Sequence, residues 1–144
     1  MERVLSGMRP TGRLHIGHIE SVLRNWMKLQ EECECYYFLA DWHALTTEPD
    51  TRAIQENSIE MIKDWLAFGI DPEKSTVFSQ SQVPEHAELH LILSMLTNIG
   101  RLERMPSFKS YALHLANQDE DKAEDLKGTI GYGFLEIGRA SCRE

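Results

Sequence analysis

The feature that most constrains the fold is an alternation of strand-like and helix-like segments along the first half of the chain. Three short segments, Arg3–Ser6, Cys35–Ala40 and Thr76–Ser79, have the length and composition of buried strands. Between them, apolar residues recur with the helical period, at Ile19, Val22, Leu23, Trp26 and Leu29 and again at Ile54, Ile59, Ile62, Trp65 and Leu66. This order predicts an α/β fold, a parallel sheet flanked by helices that form right-handed crossovers.

Local signals refine this prediction. The continuous apolar run Cys35–Ala40 is typical of a strand that is covered on both faces. Gly69 is a plausible end of the second helix, because glycine adopts the left-handed conformation that often closes a helix. Pro84 suits the first turn of another helix that extends to about Asn98. We expect a further helix at Phe108–Asn117 and a solvated acidic loop over residues 117–127.

The helix predicted after Pro84 is apolar around most of its circumference, with Leu89, Leu91, Ile92, Leu93, Met95 and Leu96 in close succession. Such a helix has to be buried on more than one side. Either the core of the chain or a second subunit could cover it.

The overall charge argues against a domain whose whole surface holds nucleic acid, because the net charge is −8. The charge is uneven: residues 1–30 carry five Lys/Arg and two Asp/Glu, a net +3, and the rest carries −11. An anionic ligand is therefore better sought near the N-terminus. The sequence contains no apolar run long enough to span a bilayer and no secretory signal at its start, so a cytoplasmic protein is expected.

Three segments are predicted to converge at one end of the sheet. Ligands of open parallel sheets bind beyond the carboxyl ends of the strands. Residues 6–18 follow the first strand, residues 41–46 follow the second and residues 79–82 follow the third. We therefore expect these three segments to line one crevice.

The first of these segments has the chemistry of a phosphate site. It contains Arg9 and Thr11 in a turn rich in Gly and Pro, and then His15 and His18 at the start of a helix. A helix N-terminus offers unpaired N–H donors, and histidine rings can donate to phosphate oxygens. The glycine spacing of a Walker loop or a dinucleotide fingerprint is missing. On local pattern alone, one capping histidine and one exposed histidine is the simpler interpretation.

A family resemblance decides between these interpretations. The stretch Ser6–His18 ends in His15-Ile16-Gly17-His18, which resembles the His-Ile-Gly-His signature of class I aminoacyl-tRNA synthetases. The segments 40–47 (Ala-Asp-Trp-His-Ala-Leu-Thr-Thr), 79–84 (Ser-Gln-Ser-Gln-Val-Pro) and 99–105 (Ile-Gly-Arg-Leu-Glu-Arg-Met) are similar to the tryptophanyl branch of that class. The motifs occur in the right order and cover nearly all of residues 3–135.

The resemblance implies a Rossmann-like catalytic domain, of which residues 1–135 are the N-terminal part. It also implies that ATP, with Mg²⁺ as part of the substrate complex, activates L-tryptophan to tryptophanyl-adenylate, and that the acyl group passes to tRNA(Trp). No protein-bound metal is expected. The resemblance assigns catalysis to His15 and His18.

The resemblance also implies two groups of binding residues. The positions that match the family's ATP site are Arg9, Pro10, Thr11, Gly17 and His18. Those that match its tryptophan pocket are Leu5, Ala40 and His43. Arg9 stands where many bacterial members have glutamine, and its guanidinium could pair with a carboxylate or phosphate. His43 as an ordinary core histidine is the alternative.

Two further patterns resemble parts of metal sites, but neither is complete. Cys33 and Cys35 could form half a zinc site, but no second pair completes it at the usual spacing, and buried reduced thiols are the better interpretation. His86 and His90 have helical i, i+4 spacing without an evident third ligand, and we expect surface or interface residues. The apolar helix that carries them is similar to the dimer-forming region of the family, and this resemblance implies a homodimer.

Residues 136–144 resemble no synthetase, and we expect this tail, with Cys142, to be non-native. Family members carry an indole-reading aspartate and a triphosphate-binding loop in segments that would follow residue 135. A chain without them is expected to be poorly active and prone to aggregation. Three rival functions remain open: tyrosine activation, transfer of a nucleotidyl group to a small molecule, and an inactive remnant that binds nucleotide or dimerises.

Overall fold

The computed structural model describes residues 2–98 and, beyond them, residues 100, 101, 104, 108, 109, 112, 113 and 116. The chain divides into two compact units, Met1–Val83 and Pro84–Glu144. The expected loop at 117–127, the tail at 136–144 and Cys142 lie outside the described residues.

The first unit alternates strands and helices as predicted. Its strands are β1 (Arg3–Met8), β2 (Glu34–Leu39) and β3 (Ser75–Ser79). Its helices are α1 (Ile16–His18), α2 (Arg24–Glu32), α3 (Asp41–Ala44) and α4 (Thr51–Phe68). A π-helical segment, Ile19–Leu23, joins α1 to α2, and a 3-10 turn, Gln80–Gln82, follows β3.

The sheet has three parallel strands in the order β1-β2-β3. The register pairs Gly7 with Phe38 and Phe38 with Phe78. Each crossover advances by one strand in the same direction, so right-handed connections bring both long helices to the same face of the sheet. The predicted α/β fold is confirmed.

The core lies on that one face. It contains Tyr37 and Leu39 of β2, Trp26 of α2 and Trp65 of α4. Trp26 stacks on Tyr37 at 4.2 Å between ring centroids and meets Trp65 edge-on at 5.0 Å. The Tyr37 hydroxyl donates to the Trp26 carbonyl at 2.9 Å, and burial raises the pKa of Tyr37 above its usual range.

The expectation that β2 is covered on both faces is wrong for the described part of the chain. Cys35, Tyr37 and Leu39 are buried, but the alternate residues Tyr36 and Phe38 are only half-buried. Successive side chains of a strand point to opposite faces, and both crossover helices pack on the face that holds Tyr37. Cys33 and Cys35 are buried free thiols, as predicted.

Helix ends follow the expected local chemistry. The Asp50 side chain accepts a hydrogen bond from the Arg52 N–H at 2.9 Å and so caps the start of α4. Gly69 ends α4 with φ of 105°, which confirms the predicted stop. Residues 41–44 form a short helix that the sequence pattern did not predict.

The second unit contains α5 (Glu85–Leu96). Burial of this helix in the core of the chain is not observed: six of its large apolar side chains are exposed, from 44% for Leu93 to 78% for Leu96. Burial against a second subunit stays a prediction. Of the expected helix at 108–117, residues 108, 109, 112 and 113 are helical and the others, apart from a turn at Ala116, lie outside the described residues.

Among the described residues, no helix combines the length and apolarity that a bilayer crossing requires.

Candidate active site

The three segments that follow the strands meet at the carboxyl edge of the sheet, as predicted. The Ala40 N–H, just past β2, donates to the Met8 carbonyl at the end of β1 at 2.8 Å. The turn after β3 is tied to the segment after β2 by side chains of Asp41 and His43. Parallel strands bring their carboxyl ends to one edge, so the loops that follow them become neighbours.

An open cleft of about 320 Å³ lies at the β1 side of this edge. It is lined by residues of the loop after β1, the helix start and α4: Met8, Arg9, Thr11, Gly12, Arg13, Leu14, His15, His18 and Met61. Among these described residues, two are arginines, two are histidines and none is acidic. The cleft therefore favours an anionic ligand.

The turn that forms the cleft depends on Gly12, whose φ is 144°. A side chain at this φ would strain the backbone, although the space beside the Gly12 Cα is open. The turn is closed by a 2.9 Å hydrogen bond from the Thr11 N–H to the Arg9 carbonyl.

His15 and His18 cap the helix that follows, because the Nδ1 atom of each ring accepts a hydrogen bond from a backbone N–H group. The Gly17 N–H donates to His15 Nδ1 at 3.1 Å, and the His15 N–H donates to His18 Nδ1 at 3.5 Å. The rings are stacked with centroids 3.8 Å apart. Because both Nδ1 atoms accept, the neutral rings carry their protons on Nε2.

This geometry is compatible with both interpretations of the histidine pair, a helix cap and a phosphate site. Both rings use Nδ1 for capping, and both keep an Nε2–H donor beside the cleft that they line. Partial burial, and secondarily the neighbouring His15, lower the pKa of His18 below its ordinary value of 6.5. A neutral His18 retains the capping acceptor, so the cap and the N–H donor are compatible.

A π-helical segment begins directly after His18. Such segments are rare and are frequent at functional sites. Here the Ser21 hydroxyl donates to the Gly17 carbonyl at 2.6 Å within the same turn. This irregular backbone directly follows the histidine pair in the chain.

A second cluster joins the loops after β2 and β3. Gln80, which is 2% exposed, presents Oε1 to His43 Nδ1 at 2.9 Å and to the His43 backbone N–H at 3.4 Å. Asp41 accepts hydrogen bonds from the Ser81 N–H at 3.1 Å and from the Ser81 hydroxyl. We call these four residues, Asp41, His43, Gln80 and Ser81, the strand-end bridge.

Comparison with known proteins identifies the family. Residues 1–127 match the family model described as tRNA synthetases class I (W and Y). The chain belongs to this family. The parallel sheet is thus that of a class I synthetase, and the Rossmann-like fold class is confirmed.

Individual relatives are more specific. The synthetase chain is 53% identical over 138 residues to a tryptophan--tRNA ligase of Ralstonia nicotianae, covering 94% of this chain and 33% of the relative. It is 55% identical over 119 residues to the tryptophan--tRNA ligase of Thermotoga maritima, covering 81% of this chain and 36% of the relative. The chain thus spans about a third of the length of these curated relatives.

A solved structure matches over a similar range. It is the tryptophanyl-tRNA synthetase of Campylobacter jejuni complexed with ADP and tryptophan, with a TM-score of 0.72 and 33% sequence identity. The match covers 90% of this chain and 40% of that chain.

Four of the six residues predicted for catalysis and ATP binding line the synthetase cleft: Arg9, Thr11, His15 and His18. The other two are not among its lining residues. Pro10 is fully buried, and Gly17 donates its N–H to the capping ring of His15. A Cβ at Gly17 would lie 2.9 Å from the His15 ring, so only glycine fits at this position without a shift.

The residues predicted for the tryptophan pocket do not line this cleft. Leu5 is 63% exposed, on the sheet face opposite the core. Ala40 is buried at the end of β2, and His43 is half-buried in the strand-end bridge. His86 and His90 lie on α5, and within the described residues no group of three or more potential metal ligands is found.

Two site residues were missed from the sequence. Arg13 lines the cleft, and the positive charge of the N-terminal segment was the signal that could have singled it out. Gln80 belongs to a motif that resembles the family, but only its contact with His43, which lies 37 residues away, shows a role.

Proposed function

We propose that the full-length protein that carries this chain activates L-tryptophan with ATP and transfers the tryptophanyl group to tRNA(Trp). The observation that supports this most is the identity of 53–55% to two tryptophan--tRNA ligases. The acid-free cleft with two arginines agrees with a triphosphate ligand.

In the activation step, a carboxylate oxygen of tryptophan attacks the α-phosphorus of ATP. A new P–O bond forms, the bond to the β-phosphate oxygen breaks, and pyrophosphate leaves. Such chemistry needs positioning and charge stabilisation rather than a protein nucleophile. We assign these tasks to His15 and His18, whose Nε2–H groups would donate to phosphate oxygens as negative charge accumulates.

We assign binding roles to the other residues predicted for the site. Arg9 and Thr11 would hold phosphates from the turn, while Pro10 and Gly17 would give that turn its shape. His18 would share ATP binding with catalysis. Gly17 leaves room for the capping ring of His15, because a Cβ at this position would lie 2.9 Å from that ring. Leu5, on the sheet face opposite the core, would line the tryptophan pocket together with Ala40 and His43, which follow β2.

The remaining partners are proposed with the activity. Mg²⁺ would arrive with ATP as part of the substrate, because none of the described cleft residues is acidic. The exposed apolar side chains of α5 support a homodimer. We place the enzyme in the cytoplasm. We also propose that residues 1–135 belong to the catalytic domain and residues 136–144 do not.

The test is amino-acid-dependent ATP–pyrophosphate exchange by the full-length protein, with tryptophan and tyrosine compared side by side. We expect exchange with tryptophan and a rate with tyrosine that is lower by at least about 10²-fold. The reason is that a pocket that pairs with the indole N–H of tryptophan does not satisfy the hydroxyl of tyrosine. A faster rate with tyrosine would overturn the assignment and favour the tyrosine branch, which the family description includes.

The same assay separates the other rivals. A nucleotidyltransferase of small molecules would exchange pyrophosphate without either amino acid. An inactive remnant would bind ATP without exchange. Sedimentation of the full-length protein tests the dimer, and a monomer at micromolar concentration would refute it.

A further inference from the structure

Arg13 lines the cleft together with Arg9 and the two histidines, but the family resemblance assigns it no role. Its side chain is exposed. In the part of the chain that the structure describes, no carboxylate lies within ion-pair distance of its guanidinium. Four other cations, by contrast, pair with carboxylates at 2.6–2.9 Å: Arg3, Arg24, Lys63 and Lys74. The charge of Arg13 is therefore available to a ligand.

The backbone places Arg13 on the same side as His15. Along residues 12–15 the exposure alternates: Gly12 and Leu14 are half-buried, whereas Arg13 and His15 are exposed. Leu14 packs against the core, and the backbone of His15 is extended, with φ of −117° and ψ of 169°. Alternate residues of an extended segment point to the same side. Arg13 and His15 thus project together, and both line the cleft.

One acidic residue of α4 interacts electrostatically with Arg13. Lys63, and to a smaller extent Arg13, lower the pKa of the Glu60 carboxyl below its usual value. The Glu60 carboxylate accepts a hydrogen bond from Lys63 at 2.6 Å, so its negative charge is already paired. Arg13 therefore keeps a net attraction for an anion in the cleft.

The charge and size of the cleft favour an anion larger than a single phosphate. Arg9, like Arg13, has no carboxylate partner among the described residues, and the cleft of about 320 Å³ holds both arginines and no acidic side chain. An arginine binds phosphate oxygens through two parallel N–H groups. A pyrophosphate group offers oxygens on two phosphorus atoms, so each arginine can pair with a different phosphate. A single phosphate offers one set of oxygens for which the two arginines would compete.

We propose that Arg13 is a specificity-determining residue of the cleft: together with Arg9 it binds the two phosphates of ATP that leave as pyrophosphate, and it thereby selects oligophosphates over a single phosphate. This inference rests on the proposed function for the identity of the nucleotide. Selectivity follows because the second arginine gains a partner only when a second phosphate is present.

The first test measures the selectivity with inorganic probes. Calorimetric titration of the full-length protein with pyrophosphate and with phosphate, both without Mg²⁺, gives the two Kd values. We expect Arg13→Gln to weaken pyrophosphate binding about 10-fold, the lower end for a charged hydrogen bond because Arg13 is exposed. Phosphate binding should change less than about 2-fold, since Arg9 remains to bind it. Equal losses for the two anions, or no loss for pyrophosphate, would overturn the proposal.

Two further variants separate geometry from charge. Arg13→Lys keeps the charge without the planar pair of donors, and we expect a loss of pyrophosphate affinity between those of the wild-type protein and Arg13→Gln. Arg52→Gln removes the same charge from an exposed position at the start of α4 that does not line the cleft. This control should leave both Kd values unchanged. A loss in Arg52→Gln as large as that in Arg13→Gln would show that only the net charge matters and would refute a role for Arg13.

Kinetics of the full-length protein give the functional readout. We expect Arg13→Gln to raise KM for ATP and for pyrophosphate about 10-fold in the exchange reaction, with KM for tryptophan unchanged and with partial rescue by Arg13→Lys. An equal increase in KM for tryptophan would indicate a structural role only and overturn the proposal. If the wild-type protein shows no tryptophan-dependent exchange, the proposed function fails, and the effect of Arg13 on pyrophosphate binding is decided by the titrations alone.

Discussion

The two ends of the sheet use similar polar residues for different purposes. At the amino end, Glu34 accepts from Arg3 at 2.9 Å and from the Tyr36 hydroxyl at 2.5 Å, and these two bonds lower the pKa of Glu34. Lys74 pairs with Glu31 at 2.8 Å. At the carboxyl end, arginines and histidines line a cleft. These residues of the amino end pair their charges with one another, while the arginines of the carboxyl end line an open cleft.

The two buried glutamines show the same contrast. At the amino end, Gln30 donates to the Gly69 carbonyl at 2.9 Å and accepts from the Asp71 N–H at 3.0 Å and the Ser75 hydroxyl at 3.4 Å, so its partners are two backbone groups and a hydroxyl. At the carboxyl end, Gln80 Oε1 lies 2.9 Å from Nδ1 of His43. The amide of Gln30 therefore joins fixed donors and acceptors, whereas the amide of Gln80 contacts an imidazole ring, whose donor and acceptor roles depend on its tautomer.

The largest expected effect is on activity at the carboxyl end. In the full-length protein, His18→Ala removes both a cap and a proposed phosphate donor, and we expect kcat of tryptophan-dependent exchange to fall about 10²-fold. Arg3→Gln, a charge removed at the amino end, should change kcat less than about 2-fold because exposed ion pairs contribute little. Comparable losses in the two variants would break the contrast between the ends.

The next effect concerns the amino end and is confined to stability. Gln30→Met leaves the Gly69 carbonyl and the Asp71 N–H without their side-chain partner, and we expect a loss of about 1–3 kcal/mol in the free energy of unfolding. Denaturant titration of the wild-type chain and the variant gives this value. Glu73→Gln on the neighbouring exposed turn is the control. ATP binding of the folded variant should be unchanged, and a specific loss of binding would contradict the division of roles.

A smaller stability effect is expected at the end of α4. Gly69→Ala places a side chain at φ of 105°, with its Cβ 3.2 Å from Met27 Sδ. The left-handed conformation costs a non-glycine residue roughly 1–2 kcal/mol. Thermal unfolding should show a lower Tm for Gly69→Ala than for Ala67→Gly, a change within the helix itself that costs about 1 kcal/mol or less. The reverse order would show that the helix end tolerates a side chain.

The smallest effect is a pH dependence of the cap. Because partial burial and His15 lower the pKa of His18 below 6.5, the unfolded chain binds a proton more readily than the folded chain. The contribution of His18 to stability is therefore complete above pH 6.5 and is lost as the pH falls through the folded-state pKa. We expect a small decrease in Tm below pH 6.5 that is absent in His18→Asn, which retains a capping side chain. An identical pH profile in both proteins would refute this linkage.

Several elements could be predicted because their signals are local. The period of apolar residues predicted α2 and α4, Gly69 predicted the end of α4, and the parallel order of the strands predicted that the three loops meet. The histidine pair was recognised as a phosphate site or a cap, and its geometry is that of a cap beside a cleft lined by arginines.

The amino-acid sequence by itself determined the strand and helix order, the family and the end of the sheet at which the three loops meet, because hydrophobic period, turn residues and motifs act over a few positions. Only the tertiary structure decided that both crossover helices cover one face, that α5 exposes its apolar residues, and that the His43 ring contacts Gln80. The physical reason is that such contacts join residues that are far apart in the chain, 37 positions for His43 and Gln80, where no local sequence pattern acts.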